Sequence, residues 1–361
     1  MQNLFKIILI IVVSFFSQNT FAEDSSVEDL NSISVYVSGT VVDINTDENN
    51  FKNYITELKD GSVIDVNTYG IEVPIGSKIH LEYFLEQDYY NFININRNFP
   101  IALIFVIFIA SILILAKRKG LRSLGSLGLS MFLLFFVLTP MLLSGFDPIW
   151  TTVIFGLFVL FLSIFVTHGF NRQSLVSFLG SFSSLILAIV LLALVTKITH
   201  LTGFINDEIQ FLSSEVGDSI NLVRLVSASI IIGILGVLDD ITITQVAVVR
   251  ELSTSGISRK NIFIKALRVG RDHISSLVNT LVFAYVGATL PMIMYISLLE
   301  IPFFVLISQE FIFIEIMRSL IGAIALTLAV PITTWMATYI FLDSIKKDAH
   351  SIESACAHHS H

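Results

Sequence analysis

Seven apolar runs constrain this chain more than any other feature of its sequence. They cover residues 99–116, 124–143, 149–168, 174–196, 222–238, 274–298 and 318–342. Each is close to the roughly 17–25 residues that a helix needs to cross a bilayer. Only 14% of the residues are charged and 54% are hydrophobic, whereas soluble domains carry about a quarter charged residues. The sequence therefore predicts an α-helical polytopic membrane protein with about seven transmembrane helices, which occupy residues 99–345.

The first 22 residues have the pattern of a secretory signal peptide. Lys6 is the positive charge, residues 7–16 are apolar, and Ala22 ends a small-residue cleavage site. The apolar run is shorter than the roughly 20 residues of a membrane span, so a signal peptide is favoured over an uncleaved anchor. In both cases the segment that follows is extracytoplasmic.

Residues 23–98 are polar and predict a small extracytoplasmic β-domain. They hold 14 acidic and four basic residues, and apolar residues alternate with polar ones. Asp60 and Gly61 separate two such segments, which indicates a hairpin with a type I′ turn. We expect an antiparallel sheet that forms a partly open barrel. The acidity is explained most simply by a solvated surface, because no ligand spacing supports a cation site.

The distribution of basic residues predicts the orientation of the chain. With the β-domain outside, the inner segments are 117–123, 169–173, 239–273 and 343–361, and they hold 13 Lys and Arg residues. The outer connections hold three. Basic residues concentrate on the cytoplasmic side of membrane proteins, so the C-terminus is predicted to be cytoplasmic.

Paired carboxylates follow the fifth apolar run. Ser229, Gly233, Gly236 and Asp240 share one face of a helix, and small residues on such a face let a neighbouring helix approach. Asp240 is therefore expected to point into the bundle and Asp239 toward the basic connection, where residues 243–249 form a helix along the membrane surface. The pair is either a proton or cation site or a helix end with salt bridges.

The sixth run carries unusual polar residues. Asn279 is costly in lipid and is expected to point into the bundle, and Pro291 frees a backbone carbonyl that can line a cavity. The alternative is a kink with an interhelical hydrogen bond. The candidate ion or substrate path comprises Asp239, Asp240, Thr244, Gln245, Asn279 and Thr280, and the candidate packing residues are Ser229, Gly233, Gly236, Gly287 and Pro291.

Other features carry less chemistry. Glu315 and Arg318 can form an i, i+3 ion pair at the outer edge. The His-rich residues 346–361 are interpreted as a disordered cytoplasmic tail, not as a metal site.

No cofactor or nucleic-acid signature is present, and the net charge is −8. Nucleophile elbows, phosphate loops and zinc-protease motifs are also absent, which argues against an enzyme.

Several motifs together resemble one bacterial family. They are KGLR at 119–122, GVLDDITITQ at 236–245, REL at 250–252, GRDHISS at 270–276 and NTLVFAYVGATLP at 279–291. With the exported β-domain, this combination resembles the YibE/F-like bacterial membrane protein family over residues 34–345. The resemblance implies a multi-pass protein of the bacterial plasma membrane and no particular substrate.

Two functions fit these observations. The first is a transporter or permease component, because Asp239 and Asp240 end a Gly-lined helix that faces a Pro-broken span. The second is a non-transporting scaffold or envelope-assembly factor, with the β-domain as its binding module. Besides the lipid bilayer, the expected partner is either another copy of the chain or a second membrane protein.

Overall fold

The structure, a computed structural model, describes residues 34–46, 52–204, 207–299 and 301–358. The predicted signal peptide, residues 1–22, lies outside these ranges. The chain divides into two compact units, Met1–Lys117 and Arg118–His361.

The first unit contains a five-stranded antiparallel sheet. Its strands are β1 (Ser34–Thr46), β2 (Lys52–Leu58), β3 (Val63–Asn67), β4 (Lys78–Phe84) and β5 (Tyr89–Ile95). Their order is β3-β2-β1-β4-β5, and the edge strands β3 and β5 approach each other. The hydroxyl of Tyr69, just after β3, bonds to Asn91 on β5. The predicted small antiparallel β-domain is confirmed as a fold.

The core of this sheet is formed by inward-facing residues of all five strands and one loop. They are Val41, Tyr54, Leu58, Val66, Val73, Ile79, Leu81 and Phe92. Ile79 and Leu81 alternate with exposed or partly exposed residues along β4, as their sequence spacing predicts. One face of the sheet is therefore apolar and packed.

The hairpin predicted at Asp60 and Gly61 is present, but its turn type differs. The N–H of Gly61 bonds to the carbonyl of Leu58 at 3.1 Å, and the N–H of Leu58 bonds to the carbonyl of Ser62 at 2.8 Å. Gly61 has a φ of 84°, whereas Asp60 is not among the residues with positive φ. This is a three-residue loop with a glycine bulge, so the predicted type I′ turn is wrong.

The second unit and the end of the first are helical. The helices are α1 (Asn98–Leu133), α2 (Thr139–Leu143), α3 (Pro148–His168), α4 (Arg172–Thr199), α5 (Asp207–Val216), α6 (Leu222–Ser253), α7 (Arg259–Ser297), α8 (Phe303–Leu306) and α9 (Glu310–His358). A π-helical segment, Leu134–Leu138, joins α1 to α2. The short α5 lies in the long connection between α4 and α6.

In the part of the chain that the structure describes, six helical ranges are long and apolar enough to cross a membrane. They are Asn98–Leu143, Pro148–His168, Arg172–Thr199, Leu222–Ser253, Arg259–Ser297 and Glu310–Leu342. The first range contains two of the seven predicted spans. Its backbone departs from helical geometry between them, at Lys117 (φ 48°, ψ −124°). The number of membrane crossings made by this range stays a prediction.

Three helices begin at side-chain caps. Asp147 accepts from the N–H of Trp150 at α3, Asn171 from Ser174 at α4, and Asn221 from Arg224 at α6, at 2.9–3.1 Å. Such caps satisfy free N–H groups at a helix start and contribute about 1 kcal/mol each.

Helix α6 is the centre of the bundle. It packs against α3, α4 and α9, and less extensively against α7. The largest apolar cluster combines α4, α6 and α9 and includes Leu185, Ile230, Ile234, Leu238, Ile241, Ile321 and Leu326.

Helix α6 runs without a break through the paired carboxylates, so the predicted end at 238 and the separate surface helix are wrong. The segment 239–253 contains neither Gly nor Pro, and Ile241, Val246 and Val249 continue its buried face. The chain turns only at Gly256, whose φ is 67°. Ser258 precedes α7 and makes no side-chain capping hydrogen bond.

Helix α9 is longer than the sequence suggested. Its backbone is helical to His358, which includes most of the segment interpreted as a disordered tail. Residues 343–358 contain no Gly or Pro, so nothing in this segment interrupts the helix. His359 and His361 lie outside the described residues.

Candidate functional site

The face of α6 that was predicted to pack against a neighbouring helix is largely open. Ser229, Gly236 and Asp240 are exposed, and no atom lies within 4 Å of a β-carbon placed at Gly236. Gly233 has a close neighbour, because a β-carbon there would lie 2.7 Å from the Tyr285 hydroxyl. The helices around α6 occupy its other sides.

Close helix approaches occur at other glycines instead. A β-carbon at Gly156 would overlap Leu235, and one at Gly180 would overlap Thr333. A carbon at Gly270 would lie 2.9 Å from the Gln245 side-chain oxygen. At these glycines α3 approaches α6, α4 approaches α9, and α7 approaches α6. Small residues therefore do allow close helix packing, but they are not the ones identified from the sequence.

The two carboxylates have exchanged the expected roles. Asp239 is partly buried and accepts a hydrogen bond from the hydroxyl of Ser163 on α3. Asp240 is exposed, and its carbonyl accepts from the Thr244 hydroxyl at 2.8 Å. Adjacent residues on a helix point about 100° apart, and α3 packs on the side of Asp239.

The electrostatic surroundings of Asp239 contain no strong cation. None of the ion pairs among the described residues includes Asp239. The charges that act on it belong to His168, at the end of α3, and to Asp240. His168 is in turn close enough to Lys119 to interact with its charge. Asp239 therefore has a neutral hydroxyl as its described hydrogen-bond partner, and the ionisable groups that act on it are an imidazole and a second carboxyl group.

Gln245 joins three helices. Its side chain is buried, and its amide nitrogen donates to the Ala266 carbonyl at 2.9 Å and to the Thr334 hydroxyl at 2.7 Å. These bonds connect α6 to α7 and α9. The sequence included Gln245 in the candidate path, and the structure places it in the protein interior.

A buried polar seam runs beside Gln245 between α4, α6 and α9. Ser181 and Thr242 share a hydrogen bond of 2.6 Å, and Thr242 also approaches the Asp239 carbonyl at 3.2 Å. The hydroxyls of Ser177 and Thr333 are buried and have no partner in the described part of the chain. We define the polar seam as Ser177, Ser181, Thr242, Gln245, Thr333 and Thr334.

Most of the polar seam was missed in the sequence. The available signal was the spacing of Ser174, Ser177, Ser181 and Ser184, because intervals of three and four residues place side chains on one helix face. All four are fully buried on α4. Thr333 and Thr334 follow Pro331 in an apolar helix, and no regular spacing of polar residues there indicated that they are buried.

The polar residues of α7 face away from the bundle. Asn279 and Thr280 are exposed, and the Thr280 hydroxyl bonds within its own helix to the Ser276 carbonyl. The predicted inward direction of Asn279 is wrong, because Gly270 and Leu281 define the packed face and Asn279 lies nearly opposite. Gly287 and Pro291 are exposed as well, and α7 continues through Pro291. This differs from the broken span and the packing role predicted for them.

The predicted ion pair of Glu315 and Arg318 forms at 2.7 Å and is largely shielded from solvent. Arg318 also donates to Ser229 at 3.2 Å and stacks over Tyr285 at 5.7 Å. The pair thus connects α9 to α6 and α7, whereas the sequence suggested a solvated interfacial pair. Glu310 accepts from the backbone N–H groups of residues 202 and 203.

Among the clefts in the described part of the bundle are two that neither Asp239 nor Asp240 lines. One, of about 470 Å³, lies between the ends of α6 and α7, and the other, of about 230 Å³, between α7 and α9. Within the described ranges, no group of three His, Cys, Asp or Glu residues could hold a metal ion.

Comparison with known proteins agrees with the motifs. The family model described as YibE/F-like protein matches residues 104–343, which include the polar seam and Asp239. No curated protein and no solved structure matches the chain. Because the family model covers more than half of the sequence, this chain belongs to the YibE/F-like protein family.

Proposed function

We propose that this protein is a transporter or permease component that moves protons or a small cation across the bacterial plasma membrane, with Asp239 as the ionisable group of the path. One observation carries the proposal. Asp239 lies within a continuous 32-residue helix, partly buried, and its described partner is the neutral hydroxyl of Ser163.

A carboxyl group in this position calls for a physical explanation. Ionisable side chains inside membrane helices are costly and usually serve an ion or substrate path. A structural carboxylate would normally be neutralised by Lys or Arg, and the ion pairs in the described structure do not include Asp239. The nearby ionisable groups are His168 and Asp240, with Lys119 beside His168.

The polar seam provides the continuation of such a path. Thr242 contacts both the Ser181 hydroxyl and the backbone carbonyl of Asp239, so two buried hydroxyls lie beside the residue that carries the carboxylate. Ser177 and Thr333 offer oxygens that have no partner among the described residues. Buried polar groups of this kind are commonly satisfied by ordered water, and a chain of hydroxyls and water can conduct protons.

Proton flux into proteoliposomes tests the proposal. The full-length protein is reconstituted with a pH-sensitive dye inside, and a pH gradient is applied with a potassium diffusion potential. We expect flux from the wild type, loss of flux for Asp239→Asn, which keeps the shape of the side chain, and little change for Asp240→Asn. A transport role would be refuted if proton flux with the wild type did not exceed that of empty liposomes and if Na⁺ and K⁺ gradients also produced no flux.

The orientation is part of the same proposal. We place the β-domain and the 197–221 connection outside the cytoplasm, and the α6–α7 turn and the C-terminus inside. The support is the excess of basic residues in the inner segments, which is typical of cytoplasmic loops. No enzymatic step is included, because the sequence carries none of the catalytic motifs considered above.

A scaffold or envelope-assembly factor is the second candidate, and the packing of the bundle favours it. The glycine contacts at Gly156 and Gly180 hold the central helices tightly, and neither cleft is lined by Asp239. Asn279 faces outward from an apolar span, which supports a partner helix from another copy or from a different membrane protein. Pull-down of a constant partner together with absent ion flux would favour this candidate.

A further inference from the structure

A cleft opens where α6 ends and α7 begins. It has a volume of about 470 Å³, and its lining residues come from both helices: Val248, Glu251, Leu252, Lys265, Arg268 and Val269. The two helices are joined by the short turn at 254–258. The cleft is separate from Asp239 and from the polar seam.

Two cations in this cleft have no acidic partner within the described residues. Lys265 and Arg268 are exposed, and neither forms an ion pair or a side-chain hydrogen bond within the described residues. Glu251 is the acidic residue of the lining. With one carboxylate and two cations, the lining has a net charge of +1. An anion is the ligand that this charge favours.

The surroundings of the cations are apolar. Val248, Leu252 and Val269 form the rest of the lining. Along α7, the charged residues give way to the apolar segment 274–298 within two turns of Arg268. The cleft therefore joins an apolar wall to a positive edge at the point where α7 becomes a membrane span. Basic clefts of this kind between membrane helices suit the headgroups of anionic lipids.

We infer that the cleft binds an anionic phospholipid of the phosphatidylglycerol type. Its phosphate lies between Lys265 and Arg268, and the start of one acyl chain lies along Val248, Leu252 and Val269. Glu251 opposes ligands of higher negative charge, because like charges repel at short range. Free inorganic phosphate would gain nothing from the apolar wall. The inference does not depend on the proposed transport function.

The experiment measures lipid binding to the full-length protein in mixed micelles. Thermal unfolding is followed as dioleoyl phosphatidylglycerol is titrated into a dioleoyl phosphatidylcholine background, because a ligand of the folded state raises Tm. The test variant is Lys265→Gln/Arg268→Gln. The matched control is Lys260→Gln/Arg271→Gln, which removes the same charge from the same helix at residues that do not line the cleft. Inorganic phosphate is titrated separately.

We expect phosphatidylglycerol to raise Tm in the wild type and in the control. The test variant should bind it about tenfold more weakly or worse, since each cation near an anionic headgroup contributes appreciably. Glu251→Gln should bind it more tightly. Folding of each variant is judged from its Tm in phosphatidylcholine alone, and Arg268→Gln replaces the double variant if that value collapses.

Three results would overturn the inference. Equal loss of binding in test and control variants would show diffuse attraction to the whole basic region. Wild-type affinity in the test variant would show that the cleft is not the site. A rise in Tm with inorganic phosphate equal to that with phosphatidylglycerol would identify a phosphate site that has no lipid component.

Discussion

Gly180 on α4 lies directly against Thr333 on α9, so closely that a β-carbon at residue 180 would overlap the threonine side chain. The Thr333 hydroxyl is buried and has no hydrogen-bond partner in the described structure. A close approach between these two helices therefore coincides with a buried hydroxyl that has no partner in the described part of the chain.

This contact predicts the effect of one added methyl group. Gly180→Ala should destabilise the protein by about 1–3 kcal/mol, the usual cost of overpacking. Gly287→Ala is the matched control, since no atom lies within 4 Å of a β-carbon there, and it should be neutral or stabilising by up to about 1 kcal/mol. Thermal unfolding in one detergent compares the two. Equal Tm values would show that α4 and α9 are further apart.

Gly233 and Gly236 should differ, although both were expected to pack. Gly233→Leu places a side chain against Tyr285 and should lower Tm, whereas Gly236→Leu enters open space. The second variant should stay within about 0.5 kcal/mol of wild type, as exposed substitutions usually do. Unfolding of the monodisperse monomer is the appropriate measurement. A larger loss for Gly236→Leu would mean that another helix covers this face.

Removing the buried amide of Gln245 should be costly. Gln245→Ala deletes two interhelical hydrogen bonds and leaves a cavity, which together cost about 2–4 kcal/mol. Thr244→Ala is the neighbouring control, because the Thr244 hydroxyl bonds only within its own helix, and it should change stability by less than about 0.5 kcal/mol. Chemical unfolding followed by circular dichroism distinguishes them. The prediction fails if both variants unfold at the same denaturant concentration.

The β-hairpin turn should depend on pH through Asp60. The Ser62 side chain and N–H both donate to its carboxylate, and these bonds lower the pKa of Asp60 below its ordinary value. A lowered pKa in the folded state means that the stabilisation is present above the unfolded pKa, about 4, and is lost as pH falls through the folded value. Hydrogen exchange of residues 58–63 should therefore be slower than in Asp60→Ala at pH 6 and should converge with it toward pH 3. A constant difference across this range would contradict the prediction.

Cysteine labelling tests the proposed orientation. In a Cys356→Ser background, Gln210→Cys should react with a membrane-impermeant maleimide in intact cells, and Lys260→Cys should react only after permeabilisation. Gln210 lies in the short helix α5 and Lys260 in the first turn of α7, and both are exposed, so a new side chain is tolerated easily at each. The reverse pattern would invert the topology.

Local patterns in the sequence were sufficient to predict most secondary-structure elements and to identify the family. Apolar runs of sufficient length became the membrane-length helices, because a helix satisfies its backbone within the segment. Asp60 and Gly61 marked the hairpin, although the turn type also depended on how the two strands meet. The prediction that α6 ends at residue 238 was wrong, because charged residues alone do not end a helix in a segment that lacks Gly and Pro.

The direction in which each polar side chain points was decided only by the tertiary structure. Asp239 and Asp240 are neighbours of the same type, and their different environments come from α3 packing on one side of α6. The same holds for Gly180 and Gly236, one pressed against Thr333 and the other open. Helical periodicity tells which residues share a face, but which face is buried depends on the helices that arrive from distant parts of the chain.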